Sequence, residues 1–247
     1  MYKEHPVFEK PENESAKVWR YIDFTKFVSL LDKSALFFTR ADRLGDPFEG
    51  SYSRANIKLR PEVYKGKIPP NALENFSQFT KIFIKNTAIN CWHLSEYESA
   101  AMWKLYLKSN DGIAIQSTFD LLKTSLKDEN HSVFIGKVKY IDFEKDWMPE
   151  GNTLYPFVHK RKSFEHEKEL RGVIQELRYK KNGGLDWSKP LFDDGIYVQV
   201  DLGVLIDKIY LAPTSPRWLF ELVKSITAKY KLDKDVLQSS LDDAPVY

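Results

Sequence analysis

A single cysteine, Cys91, occurs in 247 residues, which excludes an internal disulfide framework and a cysteine-rich zinc module together. No segment reaches the roughly 18 uninterrupted apolar residues of a membrane span, and residues 1–17 are charged, without the apolar run of a secretory leader. A cytoplasmic protein with no membrane partner is the expectation. Neither sign of charge dominates: 37 Lys and Arg stand against 35 Asp and Glu, a formal net charge of +2. Any nucleic-acid contact would therefore need a local basic patch. Repeats of 20–50 residues and low-complexity tracts are missing. So are the Walker A loop, GxGxxG, GxSxG and HExxH, which lowers several common enzyme classes at once.

What remains is ordinary globular material, 43% apolar and 29% charged, at the upper length limit of one hydrophobic core. The expectation is an N-terminal extension over residues 1–17 and one α+β domain over 18–247, with a mixed, mostly antiparallel sheet and flanking helices. Strands are expected at 18–22, 35–41, 88–94, 112–117, 132–141 and 169–177, with Gly136 a candidate bulge. Residues 195–201 are expected to pair with 169–177 across the turn Asn182-Gly183-Gly184. Asp23 suits the cap of a helix carrying Phe24, Phe27, Val28 and Leu31 on one face. Ser95 followed by Glu98 has the capping-box spacing and predicts a helix to about Lys108. Further helices are expected over 73–83, 119–126 and 154–164, and after Ser215 with Pro216 in the first position. Residues 42–70, with GDPFEG at 45–50, read largely as loop.

Chemistry concentrates in a few places. Glu165, Glu167, Glu169 and Arg171 lie two apart, so an extended chain would set all four on one face, where three carboxylates need solvent or a cationic partner. Asp46 and Glu49 of GDPFEG are turn chemistry, or partners for Arg171 or a nearby Lys that pin the loop over the acidic strand. Lys160, Arg161, Lys162 and Lys168 form a basic cluster, a solvated face or a phosphate contact. Cys91 and His93 share a strand face, but about 7 Å separates their Cβ atoms, too far for a thiol and its base. Trp103 and Tyr106, three apart on a helix, are core residues or a shelf for an aromatic ring.

Together these segments resemble a bacterial family, domain of unknown function 2971. The resemblance rests on LFFTRADRLGDPFEG, CWHLSEYESAAMWKLYLKSNDGIAI, the pattern K-x-x-x-F-x-x-E-x-E-x-R from Lys160 to Arg171, and IDKIYLAPTSPRW. Gly45 stands where Asn is common, and Phe164 where Trp is common. More distantly, the order of elements is similar to the ADP-ribosyltransferase superfamily, especially its toxin branches that modify DNA and RNA. That resemblance implies an enzyme using NAD as substrate, without a metal, to modify a macromolecular target as a toxin or phage-defence effector. It implies Glu169 and Glu167 as the catalytic acids and Arg20, Ser95, Trp103 and Tyr106 as contacts to NAD. Asp46, Glu49, Lys160 and Arg171 would complete the cleft, an antitoxin or other regulator would be a partner, and the acceptor would be a nucleic acid or a protein. The alternatives are a metal-dependent nuclease built on Asp46, Glu49 and the later glutamates, and a non-catalytic sensor or binding module in which the same charges form a structural network. On the transferase reading Arg20, Ser95 and Glu169 meet in one cleft, and Glu169→Gln costs little stability.

Overall fold

Asp23 ends one element and starts the next: its carboxylate accepts the Lys26 N–H at 2.7 Å, so strand β1 (Lys17–Asp23) passes directly into helix α1 (Phe24–Lys33). The computed structural model describes residues 1–106, 110–186 and 189–245. Ser34, at φ 46°, turns the chain back into β2 (Ala35–Arg40). Two helices, α2 (Arg54–Val63) and α3 (Pro70–Lys85), then lead to β3 (Thr87–Leu94). Helix α4 (Ala100–Tyr106), β4 (Gly112–Thr118) and α5 (Phe119–Thr124) follow. The second half holds β5 (Phe134–Lys137), β6 (Lys139–Ile141), β7 (His159–Arg161), β8 (Glu169–Gln175), β9 (Gly195–Gln199), α6 (Leu202–Leu205), β10 (Lys208–Leu211), α7 (Arg217–Lys229) and β11 (Asp235–Gln238).

Nine strands form one mixed sheet in which every pair is antiparallel except β10 with β11, as the α+β expectation has it. Its organising feature is a split. One edge of β3 is claimed at opposite ends by two strands: β1 pairs at His93 and Leu94, and β2 pairs at Ala88 and Ile89. Between those registers the two strands diverge, leaving the edge at 90–92 to side chains. Asn90 Nδ2 donates to the Phe37 carbonyl at 2.8 Å, and Arg20 Nη1 donates to the Cys91 carbonyl at 2.9 Å. Buried backbone carbonyls must find donors, and the gap supplies one from β3 itself to β2 and one from β1 to β3. The opposite edge of β3 pairs with β8 along its length, from Thr87 with Gln175 to His93 with Glu169.

Apolar side chains of α1, α5 and α7, among them Phe27, Phe119 and Leu219, pack with sheet residues Val18, Trp92, Ile115 and Ile209 into the main core. A second cluster joins Phe157 and Val158 to Val7 and Phe8 of the N-terminal segment.

Several sequence expectations are corrected. Residues 42–70 are mostly turn and loop as expected but also hold an unexpected helix, since Ser53 caps α2 by accepting the Asn56 N–H at 3.1 Å. Residues 154–164 are not a helix: Tyr155–Phe157 makes one 3₁₀ turn, β7 pairs parallel with β6, and Lys162–Glu167 is a second 3₁₀ segment. Strand pairing and the capture of Lys160 by acids override the local helical pattern. Strand β9 pairs with β2 and not with β8. The expected strand over 132–141 is broken into β5 and β6. Gly136 is no bulge, since it sits in register opposite Arg171; a Cβ there would lie 2.9 Å from the Phe8 backbone, so glycine lets the N-terminal segment close onto β5. Pro216 is itself the cap position of α7, with no side-chain cap from Ser215. Strand β11 has no counterpart among the expected elements.

Ser95 does not cap a helix. Its hydroxyl folds back on Tyr97, donating to the carbonyl and accepting from the N–H, and α4 starts at Ala100 with Ser99 Oγ accepting the Met102 N–H. The expected end of that helix near Lys108 lies outside the described residues.

Candidate active site

The split in the sheet opens into a cavity of about 300 Å³ whose walls include Arg20 from β1, Cys91 and His93 from β3, Tyr106 from α4, and Glu167 and Glu169. These residues span nearly 150 positions of sequence, and the shared register of β1, β3 and β8 brings them together.

One wall is an ion lattice. Arg171 uses all five of its N–H donors: Nε and Nη2 to Glu169 at 2.6 and 3.2 Å, Nη1 and Nη2 to Glu49 at 2.6 and 2.9 Å, and Nη1 to the Phe157 carbonyl at 3.0 Å. Lys160 Nζ donates to Glu167 at 2.5 Å and to Glu169 at 2.7 Å, and lies 4.5 Å from the centre of the Phe164 ring. The GDPFEG loop is pinned at both acids, because Arg161 Nη2 also donates to Asp46 at 2.7 Å. The loop's last residue must be glycine: Gly50 has φ 72°, and a Cβ there would come within 2.6 Å of Phe157. The expected pairing of this loop with Arg171 is therefore observed.

The acids reach Lys160 by a different route from simple alternation. Only Glu169 and Arg171 share a strand face; Glu167 belongs to the 3₁₀ segment, and Glu165 is exposed. Lys168 between the two acids takes the left-handed conformation, φ 41° and ψ 54°, while its carbonyl accepts the Leu94 N–H at 2.9 Å. That backbone kink, costing about 1–2 kcal/mol for a residue with a Cβ, turns Glu167 back onto Lys160.

The environment separates the two carboxyls. Burial and the hydrogen bond with Glu169 push Glu167 up to about 7, against the pull of Lys160. Burial alone would raise Glu169 as well, but Arg171 beside it, with Glu167 and Lys160, holds it well below the usual carboxylate range. At neutral pH one fixed negative charge thus sits beside a group poised to give or take a proton. Burial lowers the His93 pKa against the pull of the Glu167 carbonyl, to which Nδ1 donates at 2.7 Å; in the neutral imidazole that contact makes Nε2 the acceptor. Burial pushes the Cys91 thiol well up, which removes it as a thiolate nucleophile.

The opposite wall is unlike this. Arg20 donates to the Cys91 carbonyl and packs 5.9 Å from the centre of the Trp92 ring, with no carboxylate partner among the described residues. Tyr106 lines the same space.

Of the sequence candidates, Arg20, Tyr106, Glu167 and Glu169 line the cavity, while Lys160, Arg171, Glu49 and Asp46 stand behind its acidic wall. Ser95 and Trp103 do not line it. Ser95 is on the loop beyond β3, its carbonyl accepting Trp19 Nε1 at 2.8 Å. Trp103 is buried edge-on against Tyr21 at 4.9 Å, its Nε1 donating to Glu98, so it is a core residue. The expected meeting of Arg20, Ser95 and Glu169 thus holds for the first and last only. Arg43 and Tyr21 also line the cavity, and Tyr140, whose hydroxyl accepts the Glu169 N–H at 2.8 Å, supports it. Their types are common and their spacing is set by strand register, so no local pattern marks them.

No family model matches the chain, and no curated protein matches it in sequence. The resemblance to domain of unknown function 2971 rests on the quoted motifs alone. Among solved structures, Thermus sp. 2.9 DarT in complex with NAD+ is similar at a TM-score of 0.41 and 7% identity, over 93% of this chain and 97% of that one. A likeness that loose carries no argument.

Proposed function

We propose that the chain is an ADP-ribosyltransferase-like enzyme that takes NAD as substrate in the split-sheet cavity and passes ADP-ribose to a macromolecular acceptor. The observation that carries this reading is the pairing, in one cavity, of a guanidinium without a carboxylate and an acid pair of divided protonation. Arg20 is suited to the diphosphate through its planar donors. Tyr106 offers a ring face for nicotinamide or adenine. The fixed charge of Glu169 stabilises the oxocarbenium character that develops as the bond from ribose C1′ to the nicotinamide nitrogen breaks. Nicotinamide leaves with the electron pair of that bond, the acceptor's nucleophilic atom bonds to C1′, and Glu167 receives the acceptor's proton. A toxin or phage-defence role, restrained by an antitoxin-like regulator, is what the family resemblance adds.

A second reading has one observation in its favour. Glu169 is almost fully enclosed and both its oxygens are engaged by Arg171 and Lys160, as a structural network in a non-catalytic binding module would require. The nuclease reading has no such support, because Asp46 and Glu49 turn toward arginines and no three His, Cys, Asp or Glu side chains among the described residues are grouped to hold a metal ion.

The experiment is nicotinamide release from NAD by purified protein, with and without host nucleic acid or lysate. Wild type should release it, and Glu169→Gln, confirmed as folded by circular dichroism, should be slower by about a hundredfold or more. No release under any condition would favour the binding module.

A further inference from the structure

Glu167 and Glu169 are joined through one residue, Lys168, whose backbone decides how the two carboxyls face each other. Lys168 keeps φ 41° and ψ 54° although its side chain is exposed. A residue with a Cβ holds that conformation only where its surroundings fix it. The backbone groups on either side are caught in turn. The Glu167 carbonyl accepts from His93 Nδ1 at 2.7 Å and the Lys168 carbonyl from the Leu94 N–H at 2.9 Å. The Glu169 carbonyl accepts the Val138 N–H at 2.9 Å, and the Glu169 N–H donates to the Tyr140 hydroxyl at 2.8 Å.

The last of these contacts depends on where β6 runs. Strand β5 pairs with β8 as far as Lys137 opposite Leu170, and the chain then turns into β6, so a side-chain hydroxyl accepts the Glu169 N–H in place of a strand carbonyl. Strand β6 is three residues long and pairs parallel with β7, Tyr140 opposite Lys160. A two-stranded ribbon that short does not hold itself. Its two opposed side chains fasten it to the acids, Lys160 at the carboxylates and Tyr140 at the backbone between them.

We propose that Tyr140 is a positioning residue for the acid pair: its hydroxyl holds the left-handed turn at Lys168 that keeps the Glu167 carboxyl against Lys160 and Glu169. The role rests on the ADP-ribosyl transfer proposed above, but its test needs no turnover. Without the hydroxyl the Glu169 N–H loses its acceptor, and rotation of the backbone at Lys168 relieves the unmet donor and the strain together. Glu167 then leaves the burial and the Glu169 contact that raise it, and the Lys160 ammonium that lowers it. The other titratable groups around it are His93 of β3, Tyr106 of α4, Tyr140 itself and, lining the same cavity, Arg20 of β1.

Carbon-13 NMR of the glutamate carboxyls in the full chain tests this, with the Glu167 signal identified by its loss in Glu167→Gln. The wild-type signal should titrate at about 7, and Tyr140→Phe should bring its midpoint down by about one pH unit or more, toward the ordinary glutamate value. Tyr140→Phe/Lys168→Gly should recover at least about half of that fall, because glycine takes the left-handed turn without strain. Lys168→Gly alone keeps every contact of Tyr140 and is read whether or not Tyr140→Phe folds; it should keep the wild-type midpoint and raise the melting temperature. A Tyr140→Phe protein that loses stability while its midpoint stays in place, no recovery in the double variant, or a lower melting temperature in Lys168→Gly would overturn the proposal. If the midpoints move as stated and wild type releases no nicotinamide, the positioning of the acids by Tyr140 stands and the ADP-ribosyl transfer falls.

Discussion

The two walls of the split-sheet cavity solve opposite problems. On the β8 side every charge is answered: Glu49, Arg171, Glu169, Lys160 and Glu167 form one chain of contacts between 2.5 and 3.2 Å. On the β1 side Arg20 has a backbone carbonyl and an indole ring for company and, among the described residues, no carboxylate. Buried ions cost several kcal/mol each unless paired, so the first wall is rigid because it must be. The second keeps a cation that the proposed function assigns to the diphosphate of NAD.

Breaking the lattice at its centre should have the largest effect. Arg171→Met leaves Glu49 buried without its cation and Glu169 with Lys160 alone, and urea unfolding should show a loss of about 3–5 kcal/mol or outright failure to fold. A loss under about 1 kcal/mol would mean the lattice is solvated. The structure also corrects the expectation that Glu169→Gln is nearly neutral for stability. It removes the charge facing both Arg171 and Lys160, and should destabilise measurably, which is why its activity must be read on folded protein.

Glu167→Gln should act in the other direction. Burial and the contact with Glu169 raise the Glu167 carboxyl from the ordinary glutamate value of 4.5 to about 7, so the folded state binds more protons than the unfolded one between those values. Stability from this group is full below about pH 4.5 and falls as pH rises through about 7. The variant should be more stable than wild type near pH 8, by on the order of 2–3 kcal/mol, and little different near pH 5. Denaturant titrations at the two pH values measure this, and a variant destabilised equally at both would contradict the divided protonation.

On the Arg20 wall the stability effect should be small. Arg20→Met keeps the stem against Trp92, gives up one hydrogen bond and should cost about 1 kcal/mol. The smallest effect belongs to Ser95→Ala, which removes a turn hydrogen bond outside the cavity. It should shift stability by about 0.5 kcal/mol or less and leave NAD affinity unchanged; an affinity loss would put Ser95 back in the site.

The legible parts of the molecule are those where one local signal suffices. Asp23 before Phe24 and Phe27 announces a capped helix, and the apolar run at 88–94 announces a buried strand. The lattice was half legible: Glu49 and Arg171 are complementary and far apart in sequence, and their pairing follows from the need to neutralise an acidic strand. What local pattern hides is tertiary. Nothing in residues 154–164 reveals that Lys160 leaves a helical pattern to meet two acids across a left-handed Lys168. Nothing in Ser95–Glu98 distinguishes a capping box from an ST turn four residues ahead of the real cap, Ser99. The split itself arises because β1 and β2 compete for one edge of β3, which is a property of register and not of any segment.

Steady-state NAD cleavage by Arg20→Met and Glu167→Gln, compared with wild type, tests the division of labour between the walls most directly. The account predicts that Arg20→Met raises KM by about tenfold or more with kcat little changed, and that Glu167→Gln lowers kcat with KM nearly constant and removes the dependence of kcat on a group titrating near 7. Two variants with the same KM and kcat changes, or a pH profile that keeps its inflection in Glu167→Gln, would contradict it.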